Sequence, residues 1–167
     1  MAAFHFKLNL LPKAYFDGDC HSVPSRLTAE DIDRGEDPNT GWWSSHQPTP
    51  EALGRLRQLC LTDNSWGDTE EYVTSEWGSD LRIWWEDGRV FSVTFRFAPR
   101  ADNRSLLDQF LAIAREGHYL LWDSDTKAVF EPDDAVVIEH LRVSRAVLFL
   151  KDPARAILEA AKQSSKQ

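Results

Sequence analysis

Residues 81–97, LRIWWEDGRVFSVTFRF, constrain the fold more than any other part of this chain. Apolar and polar residues alternate on both sides of Asp87-Gly88, which predicts two half-buried strands. An Asp-Gly pair suits the positive backbone angles that both central residues of a type I′ turn require. The segment therefore predicts a β-hairpin, and the fold must provide an antiparallel strand pair at this point.

A two-residue turn also determines which residues of the hairpin face each other. It predicts three opposed pairs: Glu86 with Arg89, Trp84 with Phe91, and Arg82 with Val93. We therefore expect the core face to carry Trp84, Phe91, Val93, Phe95 and Phe97. The other face should carry the remaining residues: Leu81, Ile83, Trp85, Val90, Ser92, Thr94 and Arg96.

Further strands are predicted where apolar residues alternate between turn signals. They are residues 4–10, 72–77, 118–122, 128–132 and 145–151, and the turn 123–126 makes a second hairpin. Helices are predicted from cap residues and a 3.6-residue apolar period. They run from Thr49-Pro50 to about 61, from Asp102 or Asn103 to about 116, from Asp133 or Asp134 to 142, and from Asp152-Pro153 to about 162. A shorter helix is predicted over 27–34 behind Thr28, and a strand over 134–142 stays an alternative.

Hairpins dominate this order, and strands do not alternate strictly with helices. The pattern favours an α+β fold with an antiparallel or mixed sheet of about 6–7 strands and about 4 helices packed largely on one face. A chain of 167 residues suits a single domain, residues 1–167. Within it, residues 13–48 read as a long loop, and such loops are often functional.

That loop ends in residues 38–48, PNTGWWSSHQP, where two adjacent tryptophans stand among turn-forming residues. They either cover the core from the loop or are offered to a partner. Adjacent side chains point apart on an extended backbone. We therefore expect one of Trp42 and Trp43 to anchor the start of the Thr49-Pro50 helix and the other to face outward.

Charge and motif content argue against several functional classes. A net charge of -8 argues against a nucleic-acid partner, because phosphate contacts need basic patches. No stretch approaches the roughly 20 apolar residues of a membrane span, and the N-terminal residues lack the features of a signal peptide. No nucleotide-binding motif is present, so we expect no cofactor. The missing signal peptide and the two unrelated thiols predict a cytoplasmic protein.

Metal binding and catalysis also find little support. Asp17 and Asp19 have a D-x-D spacing, but the preceding apolar run is broken, so an acidic turn is favoured. Cys20, His21 and His46 lack the paired spacing of zinc ligands. Cys20 and Cys60 read as two unrelated thiols, and we predict neither a metal site nor a catalytic residue.

The main candidate for a binding surface combines an acidic stretch with tryptophans in predicted loops. Residues 61–81 contain six acids and no lysine or arginine. Such a stretch is either a solvated surface or one that attracts a basic protein. Tryptophans in loops are typical of binding hot spots. The candidate partner-binding residues are therefore Trp42, Trp43, Trp66, Asp63, Asp68, Glu70 and Glu71.

Three segments resemble small, acidic bacterial toxin-immunity proteins: SDLRIWWEDGRVFSVTFRF, LLWDSDTKAVFEP, and SRAVLFLKDP leading into a C-terminal helix. The resemblance covers roughly residues 70–160. It implies a cytosolic, non-catalytic module that blocks a cognate, basic toxin domain through an acidic, tryptophan-containing surface.

Two other functions stay open. A small hydrolase or ligand-binding domain would use the 13–48 loop as a lid, with polar groups drawn from Asp17, Asp19, His21 and His46. Convergence of two of these side chains beneath the loop would favour it. An adaptor or scaffold protein would look the same in sequence as the immunity protein.

Overall fold

The computed structural model describes residues 5–19, 23–74, 78–100 and 103–152. Its strands are Phe6–Pro12 (β1), Thr62–Asp63 (β2), Thr69–Val73 (β3), Asp80–Glu86 (β4), Arg89–Phe97 (β5), Tyr119–Asp123 (β6) and Val129–Phe130 (β7). The helices are Lys13–Asp19 (α1), Ala29–Gly35 (α2), Pro50–Arg57 (α3), Arg104–Glu116 (α4), Asp134–Val143 (α5) and Arg145–Lys151 (α6).

All seven strands form one antiparallel sheet in the order β2-β3-β4-β5-β1-β6-β7. The α+β class and the strand number are confirmed. The described ranges hold six helices rather than about four. One extra helix, α1, lies inside the segment predicted as loop.

The β4–β5 hairpin has the predicted turn but not the predicted register. Asp87 and Gly88 have φ angles of 49° and 74°, and Glu86 faces Arg89. One residue further in, Trp85 pairs with Val90 but Trp84 pairs with Ser92. Phe91 is therefore the extra residue of a β-bulge, which inserts one unpaired residue into one strand of a pair.

The bulge overturns the predicted faces of β4, because a one-residue shift reverses which β4 side chains lie on the same side of the sheet as the core residues of β5. On β5 itself, Val93, Phe95 and Phe97 are buried as predicted. Arg82 faces Thr94 instead of Val93. Leu81 and Ile83, predicted on the outer face, are fully buried beside Phe95 and Val93. Trp84, predicted in the core, is 47% exposed.

The core lies on the side of the sheet that carries Leu8, Phe95 and Leu81, which sit side by side on β1, β5 and β4. Phe110 of α4 stacks on Phe95 with ring centroids 4.4 Å apart. Helix α4 is amphipathic because its buried residues recur at helical spacing. They are Leu107, Phe110, Leu111, Ile113 and Ala114.

Helix starts follow the predicted cap residues. Thr28, Thr49 and Asp133 each accept a backbone N–H at the start of α2, α3 and α5. The strand predicted at 145–151 is wrong, since these residues form α6 behind Ser144, whose hydroxyl accepts from Val147 N. A continuous apolar run does not distinguish a strand from a helix.

Some strands begin and end at other residues than predicted, and some predicted elements lie outside the described residues. The strand predicted at 72–77 is Thr69–Val73, and residues 75–77 lie outside the described ranges. Phe4, Cys20, His21 and the helix predicted after Pro153 also lie outside them. No helix within the described part of the chain is long and apolar enough to cross a membrane.

The two adjacent tryptophans are both buried, each 4% exposed. The expectation that one faces outward is wrong because the backbone is not extended. Gly41 N donates to Asp37 O and Trp42 N to Gly35 O, which folds the segment into a compact turn. Trp42 then packs on Trp122 and Trp43 on Tyr119, with ring centroids 5.4 and 5.7 Å apart.

Gln47 joins this loop to the hairpin. Strand β1 pairs with β5 only from Phe6–Phe97 to Asn9–Thr94, so the remaining length of β5 has no β1 residue beside it. There the Gln47 side chain takes the place of a strand. Its Nε2 donates to Val90 O at 3.0 Å, and its Oε1 accepts from Val90 N at 2.7 Å. Both polar groups of the Val90 backbone are thereby satisfied.

The packing of Trp42 on Gly35 predicts that alanine substitutions at two glycines have opposite effects on stability. A Cβ at Gly35 would overlap the Trp42 ring, whereas a Cβ at Gly54 in α3 meets nothing within 4 Å. We expect Gly35→Ala to lower the free energy of unfolding by about 3 kcal/mol, the upper end of overpacking costs. Gly54→Ala should raise it by about 0.5–1 kcal/mol. Urea unfolding measures both, and equal effects would contradict this packing.

Candidate functional site

The side of the sheet that faces away from Leu81 and Phe95 carries three cross-strand rows of side chains on β3, β4 and β5. The first row is Val73, Asp80, Arg96 and Lys7, the last of these from β1. The second is Glu71, Arg82, Thr94 and Asn9. The third is Thr69, Trp84 and Ser92. Most members of these rows are polar, so this part of the sheet is not covered by an apolar layer.

Two carboxylates and two guanidinium groups form a network across these rows. Arg82 Nε donates to Glu71 Oε1 at 2.6 Å, and Arg96 Nε donates to Asp80 Oδ1 at 2.7 Å. Each arginine also approaches the other carboxylate, at 3.6 and 3.5 Å. Glu71 and Asp80 are only 5% and 3% exposed. Buried charges are tolerated when they are paired, and here each acid contacts two arginines.

Further hydrogen bonds from amide and hydroxyl groups lie on both sides of the network. Asn64 Nδ2 donates to Glu71 Oε2 at 2.8 Å. On the other side, Thr94 Oγ1 donates to Asn9 Oδ1 at 2.7 Å, and Asn9 Nδ2 donates to Ser124 Oγ at 2.6 Å. The polar rows thus hold the sheet surface in one arrangement from β2 to the β6–β7 turn.

Aromatic side chains stand on this polar base. We call Trp66, Arg82, Trp84 and Phe91 the aromatic face. Trp66 and Trp84 are 52% and 47% exposed. The Arg82 guanidinium lies 5.6 Å from the Trp66 ring centroid, a cation–π distance, and the Trp84 and Phe91 rings are 4.6 Å apart. The bulge brings Phe91 to this side of the sheet.

Trp66 is held by a tight turn. Trp66 N donates to Thr69 O and Thr69 N donates to Trp66 O, both at 2.9 Å, while Gly67 supplies a φ of 52°. A hydrogen bond of 2.8 Å from Trp85 N to Asp68 O ties the same turn to β4. The exposed indole therefore sits on a fixed backbone.

The structure separates the candidate partner-binding residues into three groups. Trp42 and Trp43 are buried, so burial removes them from any partner surface. Glu70 and Glu71 are engaged within the protein. Trp66, Asp63 and Asp68 are exposed, and they lie on or beside the turn that presents the aromatic face.

Glu70 stabilises the fold from the core side of the sheet. Arg57 of α3 donates to both of its oxygens at 2.7 Å, and the Tyr72 hydroxyl donates to it at 2.9 Å. The Arg57 hydrogen bonds lower the pKa of Glu70, burial opposes this, and the Tyr72 hydroxyl adds to the lowering. The pair attaches α3 to β3.

Asp63 is both exposed and structurally engaged. Its Oδ1 accepts from Ser65 N at 2.9 Å and also from the Ser65 hydroxyl. These bonds, the hydroxyl first, lower the pKa of Asp63. The carboxylate therefore carries its negative charge on the turn beside Trp66.

The two described residues of those proposed for a hydrolase do not come together. Asp17 is exposed and His46 half-buried, and no hydrogen bond within the described ranges joins them. The side chain of Asp19 and all of His21 lie outside the description. Among the described residues, no group of three His, Cys, Asp or Glu side chains could hold a metal ion. Cys60 is buried, and burial followed by the nearby Asp80 charge raises its pKa to about 12, so its thiol is not an activated nucleophile.

A cleft of about 370 Å³ lies between the 35–47 loop and the tip of the β4–β5 hairpin. Its walls include Trp43, Gln47, Glu86, Asp87, Arg89 and Phe91. Neither Asp17 nor His46 lines it. The loop therefore does border a cleft, but neither of the two described polar groups predicted for catalysis lies in it.

Comparison of the chain with protein-family models, with curated proteins and with solved structures found no match. Inferences about function therefore rest on the sequence and on how the structure arranges its residues.

The buried ion-pair network predicts that removing one of its carboxylates strongly lowers the stability of the protein. Glu71→Ala leaves Arg82 and Arg96 with one carboxylate between them, so we expect the free energy of unfolding to fall by about 3 kcal/mol. The exposed pair of Arg104 and Asp108, 2.7 Å apart, provides the control. Asp108→Ala should change stability by less than about 1 kcal/mol. Urea unfolding at pH 7 compares the two, and a Glu71→Ala variant as stable as the control would contradict the network.

Glu70 predicts a dependence of stability on pH. A carboxyl whose pKa is lowered by folding stabilises the protein above its unfolded pKa, and this contribution is lost as pH falls through the folded pKa. The ordinary value for Glu70 is 4.5. We therefore expect Glu70→Gln to be less stable than the parent at pH 7, with the gap closing below 4.5. Urea midpoints measured from pH 7 to pH 3 test this, and a gap that does not vary with pH would exclude the ionised pair as its cause.

Proposed function

We propose that this chain is a non-catalytic protein-binding module of the immunity-protein kind, which neutralises a basic toxin domain by covering part of it. The observation that carries the proposal is the pair of half-exposed tryptophans, Trp66 and Trp84, on a sheet surface fixed by buried ion pairs. The contact surface differs from the one predicted from sequence, since Trp84 and Phe91 replace Trp42 and Trp43.

The composition of the aromatic face suits a protein partner. Tryptophan and arginine are enriched among residues that dominate binding energy, and they usually lie at the centre of an interface. Trp66 sits on a hydrogen-bonded turn and Trp84 on a strand, so little conformational entropy is lost when a partner orders them.

The charges near this face suit a basic partner. Asp63 and Asp68 are exposed on the turn that carries Trp66. Arg82 and Arg96 add little positive potential because Glu71 and Asp80 lie against them. With a net charge of -8 for the whole chain, a basic protein would be attracted, and its association would slow as salt is added.

The toxin-neutralising role rests on the resemblance to bacterial immunity proteins. Two of the three segments on which the resemblance rests form hairpins, β4–β5 and β6–β7. The third forms helix α6 where a strand was expected, so it does not support the resemblance.

A ligand-binding domain stays the second candidate. The cleft between the 35–47 loop and the hairpin tip supports it, because part of the long loop borders the cleft. A small molecule that binds there tightly while no protein binds the aromatic face would favour this function.

The immunity function predicts that a gene adjacent to this one encodes a secreted protein with a basic domain, and that domain, expressed alone, is the partner in the test. We expect the chain to bind that domain and to restore growth of cells that express it. Trp66→Ala and Trp84→Ala should each weaken binding by more than about tenfold, as hot-spot tryptophans do. Isothermal titration calorimetry at two salt concentrations gives the affinities.

Val143→Ala is the matched control, since Val143 is 72% exposed but lies on α5, away from the aromatic face. It should leave the affinity unchanged, and thermal unfolding should show that all three variants are folded. Absence of binding and of growth rescue would refute the immunity function. Binding that survives both tryptophan changes would refute this surface.

A further inference from the structure

The cleft and the aromatic face share a boundary. Phe91 lines the cleft, and its ring is 4.6 Å from Trp84. A protein lying on Trp84 would therefore extend over the mouth of the cleft. The cleft is also well defined, because Gln47 is bonded to both polar groups of Val90 and to the Trp43 carbonyl.

The cleft combines negative charge with aromatic walls. Asp37, Glu86 and Asp87 contribute three carboxylates against the single guanidinium of Arg89. Within the described ranges, no ion pair engages Glu86, Asp87 or Arg89, although Glu86 faces Arg89 across the hairpin. Phe91 supplies the accessible aromatic part of the wall, because Trp43, which also borders the cleft, is only 4% exposed.

Asp37 is a fixed negative charge at the rim. Its Oδ1 accepts from Asn39 N at 2.8 Å and from Thr40 N at 2.9 Å. These backbone bonds lower the pKa of Asp37. The loop side of the cleft therefore keeps its charge at neutral pH, opposite the carboxylates of the hairpin tip.

We propose that this cleft receives one lysine or arginine side chain of the protein that covers the aromatic face. The inference rests on the proposed function and adds the chemistry that the partner must supply. A long cationic side chain can lay its methylene groups along Phe91 and place its charge among the carboxylates. A volume of about 370 Å³ is large enough to admit one such side chain.

The experiment uses the full chain, labelled with ¹⁵N, and N-acetyl-arginine methylamide as the probe. Its neutral isostere, N-acetyl-citrulline methylamide, is the comparison ligand. We expect saturable shifts at the Gln47 side-chain amide, the Val90 N–H and the Trp43 indole N–H. Binding of the citrulline probe should be about fivefold weaker or more, because it lacks the charge.

A double variant tests the carboxylates. Glu86→Gln with Asp87→Asn should weaken arginine binding several-fold, and the hairpin should still fold because Asn-Gly suits a type I′ turn. The control, Asp17→Asn with Asp33→Asn, removes the same charge from exposed residues that do not line the cleft. It should leave probe binding unchanged.

Three results would overturn the proposal: no shifts at the cleft residues, equal binding of the citrulline probe, or equal weakening in the control variant. The probe titration needs no partner protein. Failure of the cleft is therefore distinguishable from failure of the Trp66–Trp84 surface, which the toxin-binding measurements test.

Discussion

The β-bulge at Phe91 is the feature on which the rest of the structure depends. By leaving one residue of β5 unpaired, it places Leu81 and Ile83 in the core and turns Trp84 outward. The same residue brings its own ring against Trp84 and into the wall of the cleft. Without the bulge the alternation of the hairpin would bury Trp84 and expose Ile83, and the aromatic face would not exist. Bulges of this kind often redirect a side chain at a functional surface.

The long loop also contacts the β4–β5 hairpin, through Gln47. Its two tryptophans pack on β6, through Tyr119 and Trp122, while Gln47 pairs with the backbone of β5. These two strands are not neighbours, because β1 lies between them in the sheet. The loop thus bridges the sheet where β1 stops pairing with β5, which explains why a polar, turn-rich segment contains two large apolar side chains. The two tryptophans anchor the loop on the sheet. Gln47 then supplies the hydrogen bonds that a neighbouring strand would have supplied.

The sequence predicted what depends on local chemistry. Asp87-Gly88 specified the turn, and Thr28, Thr49 and Asp133 marked helix starts correctly because each cap bond joins residues close in the chain. The predictions from the sequence were wrong where contacts between residues far apart in the chain determine the structure. Nothing local to Phe91 signals a bulge, and Trp42 and Trp43 are buried by partners on β6 far along the chain. The acidic turn with Trp66 was found from sequence, but Trp84 was assigned to the core because regular alternation was assumed.

The buried ion pairs and the exposed tryptophans are best understood together. A sheet surface that is open to solvent on one side would usually carry polar residues that are free to move. Here Glu71 and Asp80 are buried beneath Arg82 and Arg96, at a desolvation cost that apolar residues would avoid. What the arrangement provides is a rigid, nearly neutral base in which Arg82 is held against Trp66. On such a base the aromatic side chains are already positioned before a partner arrives, so less of the binding free energy is lost in ordering them. Under the proposed function, the exposed charge that would attract a basic partner is then left to Asp63, Asp68 and the carboxylates of the cleft.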